Sequence, residues 1–370
     1  MKFEINSIKL FKIINQVSKA RNKNTLSPLL NNLYLKIEDN NLIIRATNLE
    51  ITCEKTVPVK GIVNGECLIN GDVFVKISNH FNNIDTNINC ELINNSLLIS
   101  YLKVKLQLKT YSFEDFPTPP KLGKKITNLN TKLLIDLIKS VSFCAASTEI
   151  KPEISSIYIY TIGRDLYSVA TDSFRLAEKK IILDSEIGDI NILISQKNIN
   201  EMITILESSI EEENEVDIFN NENILTIQNN NLSLSVRSIN GNFPDYKQLF
   251  PKKWDTKVII DKNELKNILN LSTVFINSYS YIDLEVDIKD NIIKIKSKND
   301  NIGSIEKETK PESLEGEEIN SSYNSNYFLD GISHINGETL ELLFTQNNKP
   351  MFIRDSNNES FTYLLMPLNK

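Results

Sequence analysis

A long internal repeat constrains the fold of this chain more than any other feature of its sequence. An amphipathic segment at residues 8–18 recurs at residues 132–142 and again at residues 262–272. The serine that closes the segment returns after 124 residues and then after 130 residues. A unit of this length is too long for a solenoid repeat, so the pattern predicts a domain that occurs three times.

Each unit repeats further elements behind this opening segment. Second helices are predicted at residues 72–81, 196–206 and 323–332, and a Phe-Pro motif that closes the first unit at residues 113–117 returns at 239–246. Alternating apolar runs between the helices predict about eight strands per unit with hairpin-length connections, so the sheets should be mostly antiparallel. The expected fold class is α+β, with three similar domains of antiparallel sheets and two helices each. We place the domains at residues 1–121, 122–250 and 251–370.

The composition is that of a folded acidic protein. There are 41 basic and 48 acidic residues, giving a net charge of −7. As a sum this charge argues against a nucleic-acid partner, but phosphate binding depends on the local arrangement of cations. No stretch approaches the roughly eighteen apolar residues of a membrane span, and the N-terminus has no apolar signal core, so we expect a cytoplasmic protein.

Residue types that bind metals or attack substrates are few and scattered. The two histidines, His80 and His334, are far apart, and no Cys-x-x-Cys spacing links the four cysteines at Cys53, Cys67, Cys90 and Cys144. We therefore expect neither a zinc site nor disulfides, and no cofactor. The chain also lacks a glycine-rich phosphate loop, a nucleophile elbow and a His-Glu-x-x-His motif, so nothing indicates catalysis.

The repeated helices carry lysines opposite their apolar sides. In the first helix, the i, i+3, i+4 and i+7 positions from Leu10 to Val17 form the predicted core side. The basic positions on or just beyond the helices are Lys9, Lys12, Lys19, Arg21, Lys23, Lys76, Lys132, Lys139, Lys197, Lys262 and Lys266. Lysine suits loose, sequence-independent contact with phosphates, so one interpretation is a shared DNA-facing surface. An ordinary solvated helix face is the other, and the pattern alone leaves both open.

The segment at residues 169–177 lies between two strand-like runs in the central unit, with an Asp-Ser pair that favours a turn at its centre. Phe174 and Leu176 alternate with Arg175, which predicts an apolar wall beside a cation. Taken alone, the segment is also typical of an ordinary β-turn.

Together these features resemble the bacterial sliding clamp family, the β subunits of DNA polymerase III. The similarity runs, in order, through residues 1–3, 16–18, 25–33, 47–50, 113–117, 170–177, 242–246, 327–330 and 363–368. It implies a DNA clamp fold in which two three-domain chains close head to tail into a ring around duplex DNA, with the lysine faces lining the hole. Implied partners are double-stranded DNA, a second copy of the chain, the replicative polymerase, the clamp loader and repair proteins, without a membrane.

The resemblance also implies a pocket that takes short apolar peptide motifs of these partners, at the junction of the second and third domains. The matching positions are Ile154, Thr171, Ser173, Phe174, Arg175, Leu176, Pro244, Leu249, Leu364, Met366, Pro367 and Leu368. The family usually has Gly-His where this chain has Ser173-Phe174. We expect this difference to make the rim of the pocket more apolar and narrower.

The sequence therefore predicts a non-catalytic processivity clamp that is nucleoid-associated during replication. One alternative is a diverged clamp paralogue with altered partner choice, suggested by Ser173-Phe174. From a different class, a three-domain β-rich binding protein or enzyme that shares only the repeat stays open. The clamp predicts a dimer that is retained on circular DNA, whereas the last alternative predicts a monomer that binds a small molecule.

Overall fold

The computed structural model describes residues 1–22, 28–148, 150–210, 214–276 and 280–368. Within these ranges the chain forms six α-helices, two in each predicted repeat. They are α1 (Ser7–Val17), α2 (Gly71–Asn79), α3 (Thr131–Ser142), α4 (Gln196–Glu207), α5 (Lys262–Ser272) and α6 (Ser325–Ser333). All six were predicted from the sequence to within two residues at each end. No helix of the described ranges is long and apolar enough to cross a membrane.

The described ranges also contain 26 β-strands. The first repeat has β1 (Lys2–Asn6), β2 (Asn32–Glu38), β3 (Asn41–Thr47), β4 (Ile51–Pro58), β5 (Lys60–Val63), β6 (Gly65–Asn70), β7 (Asn87–Ile93), β8 (Ser96–Tyr101) and β9 (Val104–Tyr111). The second has β10 (Lys124–Asn130), β11 (Ser156–Ile162), β12 (Asp165–Thr171), β13 (Arg175–Ile182), β14 (Asn191–Ser195), β15 (Glu215–Asn221), β16 (Ile224–Gln228) and β17 (Leu232–Arg237). The third has β18 (Thr256–Asp261), β19 (Tyr281–Asp287), β20 (Ile292–Asn299), β21 (Gly303–Thr309), β22 (Ser313–Gly316), β23 (Ile319–Asn324), β24 (Thr339–Phe344), β25 (Met351–Asp355) and β26 (Asn358–Leu365).

Every helix begins behind a residue whose short polar side chain caps its first turn. The side-chain oxygen accepts one or two backbone N–H groups that have no partner within the helix. The capping residues are Asn6, Asn70, Asn130, Ser195, Asp261 and Asn324. Because each capping residue is also the last residue of a strand, the strand leads directly into the helix in all three repeats.

The chain forms two compact units, and the first comprises Met1–Asp136 and Ile187–Ile239. Thirteen of its strands form one antiparallel sheet in the order β10-β15-β16-β17-β4-β3-β2-β6-β9-β8-β7-β1-β5. The predicted core side of α1 is buried from Leu10 to Val17. Between helices of this unit, Gln16 Nε2 donates a hydrogen bond to the carbonyl oxygen of Ile205 at 2.9 Å.

The second unit comprises Leu137–Glu186 and Asn240–Lys370. Eight of its strands run in the order β11-β12-β13-β26-β25-β24-β18-β22, and four more form a sheet in the order β21-β20-β19-β23. The central repeat thus contributes strands to both units, so these units are not the three predicted domains. The domain boundaries stay a prediction.

One strand junction occurs in both units with the same register. In the first unit β4 pairs with β17, from Ile51 opposite Val236 onwards. In the second unit β13 pairs with β26, from Arg175 opposite Leu365 onwards. In each case the first strand emerges from a tight turn and the second closes a repeat.

Candidate functional site

The turn between β12 and β13 is held by side chains of the sequence motif. Asp172 Oδ1 accepts the N–H of Phe174 at 2.9 Å and that of Arg175 at 3.0 Å. Thr171 Oγ1 donates to the carbonyl oxygen of Arg175 at 2.7 Å and accepts the N–H of Ser173 at 3.1 Å. Ser173 has φ 78°, in the left-handed region that favours glycine. The turn leaves the Phe174 side chain 56% exposed.

The Arg175 side chain is only 11% exposed although it follows an exposed turn. Its guanidinium binds Asp172 at 2.9 Å and Asp330 at 2.7 Å, and donates to the carbonyl oxygen of Phe143 at 3.1 Å. It lies between the rings of Phe143 and Tyr327, 5.5 and 4.3 Å from their centroids. Burial lowers the pKa of this guanidinium, but the hydrogen bonds to Asp330 and Asp172 raise it above its ordinary value. Arg175 is therefore a permanent cation.

An apolar surface lies directly beside this cation. Leu176 faces Leu364 across the β13–β26 junction, and both belong to a buried cluster with Tyr160, Val169, Tyr246, Leu343 and Phe352. Met366 packs against this cluster, and its N–H donates to the carbonyl oxygen of Phe174 at 2.9 Å. Because Phe174 and Leu249 are 56% and 42% exposed, apolar area stays open to a ligand here.

The remaining predicted pocket residues differ in how deeply they are buried. Pro244 is exposed and begins the segment that carries Leu249. Pro367 and Leu368 are half-buried, and Leu368 N–H donates to the carbonyl oxygen of Ser322 at 2.8 Å. Ile154 is half-buried, and its carbonyl oxygen accepts the N–H of Ala146 at 2.9 Å. The backbone bonds of Ile154 are local, so its place in the pocket stays a prediction.

The first unit contains the same turn without the apolar surface. Thr47 Oγ1 donates to the carbonyl oxygen of Ile51 at 3.0 Å, as the equivalent threonine does in the second unit. Beyond the turn, Thr52 lies opposite Ser235, where the second unit has a pair of leucines. Hydroxyl groups offer no apolar contact to a peptide side chain. This contrast favours one cleft per chain.

Sequence reasoning missed one buried residue beside the cleft, Glu178. It lies on β13 and is 9% exposed. Its carboxylate accepts hydrogen bonds from Tyr246 Oη and, at 2.5 Å, from Lys247 Nζ. A signal existed in the sequence, because the three equivalent strands carry a Glu-Lys pair at the same position: Glu54-Lys55, Glu178-Lys179 and Glu306-Lys307.

The predicted DNA-facing cations differ in their surroundings. Exposed lysines are found at Lys12, Lys19, Lys76, Lys132, Lys139 and Lys197. Lys12 and Lys19 line a cleft of about 360 Å³ between α1 and α4. Lys9 Nζ donates to the carbonyl oxygen of Pro58 at 2.9 Å, and Lys262 Nζ donates to that of Ile335. Burial lowers the pKa of Lys262, and Lys266 is half-buried.

Arg21 is the predicted cation whose position fits DNA contact least well. It is 5% exposed, and its guanidinium binds Asn31 Oδ1 at 2.6 Å and Asp72 Oδ1 at 3.1 Å. A DNA phosphate would have to compete with these partners. Lys23 lies outside the described residues.

The described ranges contain no group of three or more His, Cys, Asp or Glu side chains arranged to hold a metal ion. All four cysteines are buried free thiols. Burial raises the pKa of Cys53 and of Cys67 to about 12, so these thiols stay protonated.

Comparison with known proteins decides the family. The model described as DNA polymerase III beta subunit, N-terminal domain, matches residues 1–120. The central-domain model of the same subunit matches residues 128–245, and the C-terminal-domain model matches residues 247–369. The chain belongs to the DNA polymerase III beta subunit family. This confirms the resemblance stated from the sequence motifs.

Individual members of this beta subunit family match over the whole chain. The beta sliding clamp of Staphylococcus aureus is 24% identical over 377 residues, covering 100% of this chain and 99% of that protein. The crystal structure of the Bacillus subtilis DNA polymerase sliding clamp has a TM-score of 0.92 at 24% identity and covers 100% and 99% of the two chains. That of the Pseudomonas aeruginosa subunit has a TM-score of 0.91 at 24% identity and covers 100% of both. These matches confirm the predicted α+β clamp fold of three domains.

Membership of the beta subunit family also decides the class of function. Beta sliding clamps are non-catalytic processivity factors of DNA replication. The prediction of a clamp rather than an enzyme is therefore confirmed, and the enzyme alternative is not retained.

Proposed function

We propose that two copies of this chain close head to tail into a ring around duplex DNA and hold the replicative polymerase on it. The observation that carries the proposal is a strand junction that forms twice within the chain. For a third junction both strands are present, but within the described ranges they do not pair with each other. Each repeat supplies one strand of each kind, so three repeats need three junctions. The described part of one chain completes two of them.

The strands of the third junction have free edges that fit a partner chain. β21 is the third repeat's equivalent of β4 and β13, and in the described ranges it pairs on one side only, with β20. β9 is the first repeat's equivalent of β17 and β26. In the described part of the chain, residues 104–109 of β9 pair with β8 alone, because β6 reaches only Thr110 and Tyr111. Unpaired backbone groups on a strand edge recruit another strand.

The repeated register gives the pairing across this seam. Transferred to the third junction, it places Ile305 of one copy opposite Leu106 of the other, and Glu306 opposite Lys105. Ile302, directly before β21, and Val104, the first residue of β9, are 63% and 37% exposed. The seam thus combines apolar contact with opposite charges. β21 of one copy thus pairs with β9 of the other copy in the register that the two junctions within the chain share. Two such pairings close the ring.

Within such a ring the exposed helix lysines contact the DNA backbone, and the cleft beside Arg175 takes partner proteins. Lysine contacts to phosphate carry no sequence information, so the ring slides. Short apolar motifs of the polymerase, the clamp loader and repair proteins bury side chains on the open surface around Leu176 and Met366. We further propose the three domains at residues 1–121, 122–250 and 251–370, and nucleoid association during replication. A fluorescent fusion that stays diffuse during replication would contradict the last point.

Molar mass and DNA topology test the ring. Light scattering should give a mass near twice 42.3 kDa. Chain loaded by an ATP-driven clamp loader onto nicked circular DNA should stay bound through gel filtration in high salt, and should be released when the circle is cut. A monomer at micromolar concentration, or equal retention on circular and linear DNA, would contradict the proposal.

A further inference from the structure

A buried carboxylate next to the cleft organises side chains from two separate parts of the chain. Glu178 Oε2 accepts hydrogen bonds from Tyr246 Oη and Lys247 Nζ, and Tyr246 Oη lies 2.6 Å from Tyr160 Oη. Burial and the charge of Glu178 raise the pKa of Tyr246 above its ordinary value. The phenol of Tyr246 therefore stays protonated and donates its hydrogen bond to Glu178.

The ammonium group of Lys247 is surrounded by aromatic rings as well as paired with Glu178. It lies 4.9 Å from the ring centroid of Tyr167, 5.0 Å from that of Tyr246 and 5.1 Å from that of Phe250. Each such contact attracts a cation to the face of a ring. Although Lys247 remains 45% exposed, its charged end is held in one place.

This network joins the two walls of the peptide cleft, which are strand β13 and the segment 244–249. Glu178 lies on β13, whose first residues are Arg175 and Leu176. Lys247 lies in the 3-10 turn Tyr246–Leu249, on the segment that also carries Pro244. The network is thus a polar link between strand β13 and the segment 244–249, which also joins the buried cluster of Leu176 through the ring of Tyr246 and through the half-buried Phe250 that follows it.

The first unit uses the equivalent glutamate for the same task without a cleft. Glu54 is bound by Arg45 Nε at 2.6 Å, and Arg45 Nη1 donates to the carbonyl oxygen of Pro117 at 3.2 Å. Pro117 belongs to the segment that closes the first repeat. In both units, therefore, the glutamate of the Glu-Lys pair anchors the closing segment on the sheet through a cation.

We infer that Glu178 and Lys247 are positioning residues of the peptide cleft, which fix the segment 244–249 against β13 without touching the bound peptide. The inference rests on the proposed function of the cleft. If the segment 244–249 is already ordered before binding, peptide binding does not have to include the free-energy cost of ordering it. Loss of either charge frees the segment, and the peptide must then order it.

The test is fluorescence anisotropy with a labelled synthetic decapeptide that carries a central Leu-Phe pair, titrated with the full chain. Lys247→Met should weaken binding roughly tenfold because preorganisation is lost. Lys247→Arg, which keeps the charge and the ring contacts, should restore binding to within about twofold of the unsubstituted chain. The same Lys247→Met change in a Leu249→Ala background should have almost no further effect, because the two residues act through one wall.

Glu54→Gln is the matched control for Glu178→Gln. Both changes remove a carboxylate of the same repeat position from an ion pair, but Glu54 lies in the first unit. Glu178→Gln should weaken peptide binding and Glu54→Gln should leave it unchanged, with urea unfolding confirming that both variants fold.

Two results would overturn the inference in different ways. If Lys247→Met binds the peptide as well as the unsubstituted chain, or loses the same factor with and without Leu249→Ala, the network does not position the wall, while the cleft itself stands. If the unsubstituted chain does not bind the peptide, the cleft is wrong and the inference falls with it.

Discussion

The guanidinium of Arg175 lies 2.7 Å from the carboxylate of Asp330, a residue 155 positions further along the chain. The contact ties the first residue of β13 to helix α6 of the third repeat. With Asp172 at 2.9 Å, one cation holds two carboxylates. The charge of this arginine is thus compensated within the chain. If the proposed cleft takes a partner peptide, we expect it to select apolar side chains rather than carboxylates.

Replacement of Arg175 by methionine should lower the free energy of unfolding by about 2 kcal/mol, because two carboxylates lose a largely buried partner. Urea unfolding measures this loss. Asp330→Asn is the matched control and should cost under about 1 kcal/mol, since Asp330 is 53% exposed and Asp172 still pairs with the arginine. Equal losses for the two variants would contradict this account.

Replacement of Met366 by alanine should weaken binding of the Leu-Phe decapeptide about five- to tenfold, because thioether contact area beside Leu176 is removed. The backbone hydrogen bond from Met366 to Phe174 is kept, so the turn stays in place. Anisotropy measures the affinity, and light scattering should give an unchanged molar mass. Loss of the dimer in this variant would show that the residue belongs to the seam instead of the cleft.

The sequence predicted the helices well because their signals are local. A capping side chain at Asn6 or Asp261 and an apolar spacing of 3.6 residues specify where a helix begins and which side is buried. Three similar α+β domains were predicted because the same local signals return three times, and the clamp fold was predicted from the resemblance to the family. The division of the central repeat between two compact units was not predicted, because strand pairings over such sequence distances leave no local pattern.

The cleft was predicted only as far as motif positions allow. Thr171 and Arg175 lie only four residues apart in the motif, so their turn was expected, and the structure contains it. Arg21 was grouped with exposed cations because sequence cannot show that its guanidinium binds Asp72. Glu178 was missed because a lone strand glutamate is usually solvated, and its partners lie 68 and 69 residues away.

Replacement of Lys12 by glutamate should weaken DNA binding about three- to tenfold at low salt and reduce the slope of log affinity against log salt by about one. Lys12 is exposed on α1 and, with Lys19, lines the separate cavity between α1 and α4. Lys289→Glu is the charge-matched control, because Lys289 is 86% exposed in the connection between β19 and β20 and not on a helix. A salt-independent effect, or an equal effect in the control, would contradict the helix lysines as the DNA-facing surface.

A charge exchange tests the seam between two copies. Lys105→Glu and Glu306→Lys should each weaken the dimer about tenfold, because like charges then face each other across adjacent strands. The double variant should recover most of the affinity, since the pair is restored in reversed order. Sedimentation equilibrium measures the dimer constant. If the double variant loses as much dimerisation free energy as the two single variants together, the proposed register is wrong.

The last prediction concerns acid stability. Glu341 is 3% exposed and pairs with both Arg354 and Lys257. Burial raises the pKa of this carboxyl, but the hydrogen bonds from Lys257 and Arg354 outweigh it and hold the pKa below its ordinary value of 4.5. Because the folded pKa is depressed, the ion pairs stabilise the fold fully above the unfolded pKa, and their contribution is lost as pH falls through the folded pKa.

Urea unfolding of the unsubstituted chain and of Glu341→Gln, measured from neutral pH down to pH values below 4.5, checks this prediction. At neutral pH the variant should be less stable by about 2 kcal/mol, because two cations lose a buried carboxylate. The two stability curves should converge as the pH falls. Glu359→Gln, which changes a 73% exposed partner of Arg354, should follow the unsubstituted chain throughout. Parallel curves for Glu341→Gln would show that this carboxyl does not titrate with unfolding, and would contradict its role in acid stability.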